Sequence, residues 1–248
     1  MRMKPTERTR TLTPVQVLQI HDITPSMRRL TLVGDGLRNF VSDKPAQWVK
    51  VFFPAPDQRP PASRAYTIRR LKPADGQVEL ELVLHGDNGP ASYWLSRAKI
   101  GDTLQLSAPR AGAEIRQSIQ RYILLGDITA LPAMSAIAAD LPAQVQAEMF
   151  VEVANQADEQ RIDTLARLKV HWLYAGKRIP GTTGQLEQSL KDALIDITDC
   201  QFWVAGESSM VKTVVTHLLN ERLVQKSAIQ SAGYWKLGVK GHREESGK

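Results

Sequence analysis

Apolar and polar residues alternate along a series of short segments between Thr11 and about Arg110. These segments are VQVLQIHD, MRRLTLVG, WVKVFFP, RAYTIRRL, QVELELVLHG and DTLQLSAPR. Their period of two and their β-branched content favour strands over helices. Turn-forming stretches such as KPADGQ and PAPDQRPP separate them. Strands at this regular spacing predict a small antiparallel barrel.

One segment of the N-terminal half has a different pattern. GPASYWLSRAKIGD predicts a helix, with Pro90 in its first turn and Gly101 at its far end. From Tyr122 onward, apolar strands alternate with helical patterns. The segments are YILLGDITALPAMSAIAADL, AEMFVEV, KVHWLYA, QFWVAGESSMVKTVVTHLLNERL and AIQSAGYW. This order is typical of a parallel sheet covered by helices.

The predicted fold is therefore an antiparallel β barrel followed by a parallel-sheet α/β unit. A length of 248 residues suits two hydrophobic cores better than one. We place the domains at residues 11–116 and 117–240. No run of eighteen apolar residues and no signal-peptide pattern is present, so we expect a cytoplasmic protein without membrane insertion.

Composition narrows the chemistry that the chain performs. The single cysteine, Cys200, rules out an internal disulfide and any cluster that needs several thiolates. The five histidines match no metal-binding spacing, so no metal site is predicted. The formal charge of +6 favours an anionic partner, but the basic residues are scattered. Small anionic ligands fit this pattern better than nucleic acid does.

Two segments of the barrel carry candidate binding chemistry. In RAYTIRR, Arg64 and Tyr66 are explained either by strand alternation or by a flat, phosphorylated cofactor that meets the ring and the guanidinium. In HGDNGPAS, Pro90 begins a helix whose free amides suit a pyrophosphate, although the residues alone slightly favour an ordinary helix start after a hairpin turn. His85 on its own is more often a structural hydrogen-bonding residue than a catalyst.

Two further segments follow buried strands of the α/β unit. GDITALPA at 126–133 and VAGES at 204–208 both lie at the carboxyl ends of strands, where open parallel sheets bind ligands. Neither matches GxGxxG, so spacing alone does not name a nucleotide. Thr129 is also explained as a helix N-cap with Pro132 in the first turn.

Together these segments resemble the siderophore-interacting protein family, the flavin-dependent ferric-siderophore reductases of the ferredoxin-reductase-like superfamily. The resemblance covers most of the chain. It rests on RxYTxR, HGxxGPAS, GDxTALPA, an AGE segment and GYW occurring in the family's order. It implies an FAD-binding barrel followed by a domain that binds NAD(P)H as the electron donor.

The resemblance also implies site residues, and it assigns no catalytic residue. The implied flavin contacts are Arg64, Ala65, Tyr66 and Thr67 on one strand, His85, Gly89, Pro90, Ala91 and Ser92 at the phosphates, Asp127, Thr129 and Ala130 in the second domain, and Tyr234 and Trp235 near the C-terminus. The candidate basic residues for the ferric siderophore are Lys50, Lys236 and Lys240.

The implied reaction is reduction of siderophore-bound Fe(III) by electrons that pass from the donor through FAD. The donor is NADPH, NADH or a reduced ferredoxin. Lys177 and Arg178 are candidates for binding a 2′-phosphate, and a solvated loop is the alternative explanation for them. Two other functions remain open, namely a general flavin or ferredoxin-type reductase and a non-catalytic ferric-siderophore carrier.

Overall fold

The computed structural model describes residues 12–54, 62–84, 89–116 and 118–239. Within these ranges the N-terminal part is a closed barrel of six antiparallel strands. The strands are β1 (Thr13–Thr24), β2 (Met27–Val33), β3 (Trp48–Phe53), β4 (Ala62–Lys72), β5 (Gln77–Val83) and β6 (Thr103–Leu106). Their order around the barrel is β1-β2-β5-β4-β3-β6. Each strand coincides with one of the predicted alternating segments, so the predicted barrel is confirmed.

Alternation along the strands builds the barrel core. In β3, Val49, Val51 and Phe53 are buried, whereas the residues between them are only half-buried. Helix α1 (Pro90–Arg97) packs against β3 and β4 and contributes the buried Leu95. The helix begins as predicted but ends before Gly101. Gly101 instead lies in the turn that follows, with a backbone φ of +94° and its amide bonded to the carbonyl oxygen of Val17 in β1.

The second part is a five-stranded parallel sheet in the described residues. Its strands are β7 (Arg121–Asp127), β8 (Gln146–Val153), β9 (Arg167–Tyr174), β10 (Cys200–Glu207) and β11 (Ile229–Trp235), in the order β11-β10-β7-β8-β9. Helix α2 (Leu131–Asp140) covers one face, and helices α3 (Gln185–Asp192) and α4 (Ser208–Asn220) cover the other. The predicted parallel sheet with covering helices is confirmed.

Helix α3 is the element that the sequence pattern did not predict. It is eight residues long and follows Gly184, whose φ of +81° suits glycine. Two leucines, Leu186 and Leu190, are its buried residues, so its apolar face is short. Packing against the sheet rather than local propensity stabilises a helix of this length.

The barrel and the sheet share one hydrophobic cluster. Met27 of the barrel packs into the same cluster as Leu131 and Met134 of α2. The connecting segment is fixed to the sheet, because the side-chain amides of Gln201 and Gln230 both donate to the carbonyl oxygen of Glu114, at 2.6 and 2.7 Å. Among the described residues, no helix is long and apolar enough to span a membrane.

Candidate functional site

The four predicted cofactor residues on β4 of the barrel differ in how far they are buried. Arg64 and Ala65 are exposed, Tyr66 is half-buried and Thr67 is buried. Lys50 of β3 is the register partner of Ala65, so this predicted basic residue lies directly beside the strand. The strand therefore combines positive charge, a small residue and an aromatic ring within one short surface.

Aromatic packing connects this strand to α1. The ring of Tyr66 meets Phe53 edge-on, with centroids 6.1 Å apart and an interplanar angle of 81°. Phe53 in turn packs against Trp94 of α1 at 5.4 Å. Burial raises the pKa of Tyr66 to about 12, so its phenol stays neutral and able to donate a hydrogen bond at ordinary pH.

The start of α1 has open space in front of it. A Cβ atom built at Gly89 would meet no atom of the described residues within 4 Å, and the carbonyl oxygen of Gly89 accepts the first helical hydrogen bond from the amide of Tyr93. Ala91 is buried beneath and Ser92 is half-buried. The first amides of a helix have no partner within the helix and suit an anion. His85 lies outside the described residues, as does the side chain of Pro90.

These barrel residues fit the FAD that the sequence implies. The open space at Gly89 leaves room for phosphates at the helix start, and the guanidinium of Arg64 supplies positive charge on the strand that α1 packs against. Tyr66 supplies a ring that is accessible on its half-exposed side. The individual contacts remain predictions.

A second set of predicted residues meets at the carboxyl edge of the parallel sheet. Asp127, the last residue of β7, is fully buried. Its Oδ1 accepts from the amide of Thr129 at 2.8 Å and from the Thr129 hydroxyl at 2.5 Å. Its Oδ2 accepts from the amide of Glu207 at 2.7 Å and from the indole N–H of Trp235 at 3.0 Å. Burial raises the pKa of Asp127, and these four donors oppose that rise.

The structure thereby gives some of these residues a different local role. Thr129 is not the N-cap of α2, because the helix begins at Leu131 and Ala130 holds the cap position. The Thr129 hydroxyl instead donates to Asp127. Pro132 lies in the first turn, as predicted. The Asp127 carboxylate uses its acceptor positions on protein donors, so its geometry is that of a residue which holds neighbouring segments together.

The two strand-end loops that were predicted to share a crevice do meet. Glu207 caps α4, since its Oε2 accepts from the amides of Ser209 and Met210 at 2.6 and 2.9 Å. Its Oε1 accepts from the amide of Leu237 at 3.2 Å, beyond β11. Glu207 is also bonded to Asp127 through its own amide. One hydrogen-bonded unit therefore joins the ends of β7, β10 and β11.

Sequence reasoning missed one buried carboxyl group at this edge. Glu152 of β8 is the register partner of Asp127 and is fully buried. Neither of its carboxylate oxygens has a hydrogen-bond partner among the described residues. Burial raises the pKa of Glu152, although Thr183 and the Gly181 amide lie close enough to lower it in part. An acid within the apolar run AEMFVEV was the available signal.

The remaining predicted residues lie at the periphery. Tyr234 is 38% exposed and meets Trp203 edge-on at 6.4 Å. Lys236 follows β11 and is exposed, whereas Lys240 lies outside the described residues. Lys177 and Arg178 are both exposed in the loop after β9, and Arg178 donates to the carbonyl oxygen of Thr183 at 3.5 Å.

A cavity of about 260 Å³ lies elsewhere, between the barrel and the sheet. Tyr122 and Val145, near the beginnings of β7 and β8, line it together with Lys44 and Glu114, which form an ion pair. It therefore lies at the amino edge of the sheet. Because parallel sheets bind ligands at the opposite, carboxyl edge, we assign the cofactor chemistry to the edge that holds Asp127 rather than to this cavity.

Comparison with known proteins shows which family and which fold the chain is similar to. Residues 119–238 match the model of the siderophore-interacting protein family, and residues 16–63 and 55–113 match that of the siderophore-interacting FAD-binding domain. The chain is 28% identical to the ferric vibriobactin reductase ViuB of Vibrio cholerae over 240 residues, which cover 87% of this chain and 86% of that protein. It is 25% identical to a ferric acinetobactin reductase of Acinetobacter baumannii over 226 residues, covering 90% and 78%. A siderophore utilization protein from T. fusca superimposes with a TM-score of 0.83 at 28% identity, covering 94% and 95%.

Proposed function

Because the chain belongs to the siderophore-interacting protein family, we propose that it is an FAD-dependent ferric-siderophore reductase that takes its electrons from NAD(P)H. The observation that carries this proposal is the pairing of two surfaces in one fold. One is the strand Arg64–Thr67 beside the open start of α1, and the other is the carboxyl edge of the parallel sheet. Residues 11–116 are assigned to FAD and residues 117–240 to the nicotinamide donor.

The barrel residues bind and orient the flavin in this proposal. Arg64 and the amides at the start of α1 neutralise the phosphates. Tyr66 packs its half-exposed ring on the flat cofactor and keeps a neutral phenol, consistent with its raised pKa. The flavin, when bound, supplies the exchange between the electron pair of a nicotinamide and the single electron that Fe(III) accepts.

The carboxyl edge of the sheet is the proposed donor site. Lys177 and Arg178 are exposed in the loop after β9, where positive charge favours the 2′-phosphate of NADPH over NADH. A reduced ferredoxin is the second candidate donor, and the net charge of +6 suits an acidic carrier protein. Because such donors are present in the cytoplasm, we also propose that location.

Basic residues near the barrel strand and the end of β11 are proposed to attract the ferric chelate. Lys50, Lys236 and Lys240 are the candidates, and Lys50 lies beside Ala65 on the adjacent strand. Fe(III) is a hard ion that suits anionic oxygen ligands, whereas Fe(II) holds them less strongly. Reduction therefore loosens the chelate. The protein's contribution is to bind and orient the two reactants.

Comparing acceptors in one steady-state assay tests the proposal. The purified protein is supplied with NADPH or NADH and either a ferric siderophore, free flavin or oxidised ferredoxin, and an Fe(II)-specific chromogenic chelator traps the product. We expect Fe(II) formation to exceed turnover of free flavin and ferredoxin. Faster turnover of free flavin or ferredoxin than of the ferric siderophore would identify a general flavin or ferredoxin-type reductase. A colourless protein that does not bind FAD but does bind the ferric chelate would be a non-catalytic carrier.

A further inference from the structure

Two carboxyl side chains lie side by side in the interior at the carboxyl edge of the sheet. Asp127 and Glu152 are register partners on β7 and β8, and both are fully buried. Register partners on adjacent strands point to the same face of a sheet, here the face that α3 and α4 cover. Two carboxyl groups that share a buried site resist being ionised together. The surrounding donors therefore decide which of the two holds a proton.

Asp127 has the larger set of hydrogen-bond donors. Four N–H or O–H groups of Thr129, Glu207 and Trp235 converge on its two oxygens. A protonated carboxyl group would have to donate a hydrogen bond at one of these positions, each of which already holds a donor. Hydrogen bonds to the charged form favour that form. The donor set therefore selects an ionised Asp127.

Glu152 has the opposite environment. Its two oxygens lack hydrogen-bond partners among the described residues, although Thr183 and the Gly181 amide lie close enough to favour the charged form in part. The negative charge of Asp127 disfavours ionisation of Glu152, whereas the positive charge of Arg178 favours it. A buried carboxylate without partners is costly, whereas the neutral acid costs much less. Glu152 is therefore the group that holds the proton.

Two glycines close the site over the Asp127 carboxylate. A Cβ atom at Gly181 or at Gly206 would come closer than 3.0 Å to the Asp127 side chain. Both residues have positive φ values, +89° and +131°, which favour glycine. Backbone therefore packs directly against the carboxylate and excludes water from it. This strengthens the hydrogen bond between Asp127 and the indole of Trp235.

We propose that Asp127 is a positioning residue whose ionised carboxylate, kept so by the neutral Glu152 beside it, fixes the indole of Trp235 at the carboxyl edge of the sheet. This edge is where the proposed function brings the nicotinamide to the flavin, and the inference rests on that function for its catalytic consequence. The hydrogen-bonded arrangement itself does not depend on the substrate. The two parts can therefore be tested separately.

The first test measures the arrangement without turnover. The chain has five tryptophans, and loss of one indole N–H resonance in W235F assigns that of Trp235. We expect this proton to be protected from solvent exchange in the wild type and in E152Q, and to lose its protection in D127N. Infrared spectra should show a protonated-carboxyl stretch at neutral pH that is absent in E152Q. E148Q, four residues earlier on the same face of β8, is the matched control and should keep this band.

These outcomes decide the inference even if D127N does not fold. A wild type without the protonated-carboxyl band, or an unprotected Trp235 N–H in the wild type, would overturn it. Loss of Trp235 protection in E152Q would also overturn the proposal, because the proposal requires Glu152 to be neutral in the wild type.

The second test connects the arrangement to the reaction. With bound FAD, D127N should slow its reduction by NAD(P)H by about tenfold, the factor that corresponds to 1.4 kcal/mol, while E152Q leaves the rate unchanged. A normal rate in D127N would refute the positioning role. If the wild type itself fails to reduce ferric siderophore while the resonances behave as described, the proposed function fails and the carboxyl arrangement stands.

Discussion

Replacing Trp235 by phenylalanine removes one of the four donors that face a buried carboxylate. The indole N–H donates to the Oδ2 atom of Asp127 at 3.0 Å, and Asp127 is fully buried. Phenylalanine keeps an aromatic ring but supplies no donor. The matched control is Trp172→Phe, because Trp172 is also half-buried and lies on β9, the opposite edge strand of the same sheet.

The size of the effect follows from the charge of the acceptor. Both substitutions shrink an indole to a phenyl ring, so the difference between them isolates the hydrogen bond. Hydrogen bonds to charged groups contribute about 1.5–3 kcal/mol to stability, against about 0.5–1.5 kcal/mol for neutral pairs. W235F should therefore lower the free energy of unfolding by about 1.5–3 kcal/mol more than W172F does.

Urea denaturation followed by circular dichroism measures this difference, and pH supplies a second check. Lowering the pH through the pKa of Asp127 protonates its carboxyl group and removes the charge from the acceptor. The excess cost of W235F should then shrink towards the value of a neutral hydrogen bond. Equal losses in W235F and W172F at neutral pH, or an excess that does not change with pH, would show that Trp235 does not donate to a charged Asp127.

Three further predictions concern single groups. Burial raises the pKa of Glu152 above its usual 4.5, so the folded state keeps a proton that the unfolded chain releases, and stability falls as pH rises above 4.5. E152Q lacks this loss, so its stability relative to the wild type in urea titrations should grow with pH. A difference that stays constant with pH would contradict the assignment. Burial also raises the pKa of the Cys200 thiol to about 12, so a thiol reagent at mildly alkaline pH should modify the urea-unfolded protein but not the native protein. Rapid modification of the native protein would contradict this prediction. Lys236→Glu should raise the KM for anionic ferric chelates while FAD stays bound. The control Lys226→Glu, at the other end of β11, should leave this KM unchanged. Equal KM values in the two variants would rule out Lys236 as a chelate-binding residue.

The sequence predicted the elements that regular periodicity specifies. Alternation in segments such as QVELELV identified the barrel strands, and long apolar runs such as QFWVAGE identified the parallel strands. Helix α3 was missed because its buried surface amounts to Leu186 and Leu190. Too few apolar positions repeat there to distinguish a short helix from a loop.

The candidate site was predicted unevenly for a related reason. Segment positions indicated that the ends of β7 and β10 meet, but not which atoms bond. The hydrogen bond between Trp235 and Asp127 joins residues 108 positions apart, so no local pattern reports it. Glu152 was overlooked because an acid near the end of an apolar strand resembles an ordinary strand end. Its register opposite Asp127 becomes visible only once the sheet is assembled.

In the proposed function, one protein accepts electrons from a nicotinamide and delivers them to siderophore-bound iron through FAD. Anaerobic stopped-flow mixing of the FAD-loaded protein with NADPH or NADH, followed by addition of ferric siderophore, tests both halves in one experiment. We predict bleaching of the flavin absorbance by the nicotinamide, then its return together with Fe(II) formation when the ferric siderophore is added. Flavin that bleaches but is not reoxidised by the ferric siderophore would contradict the claim.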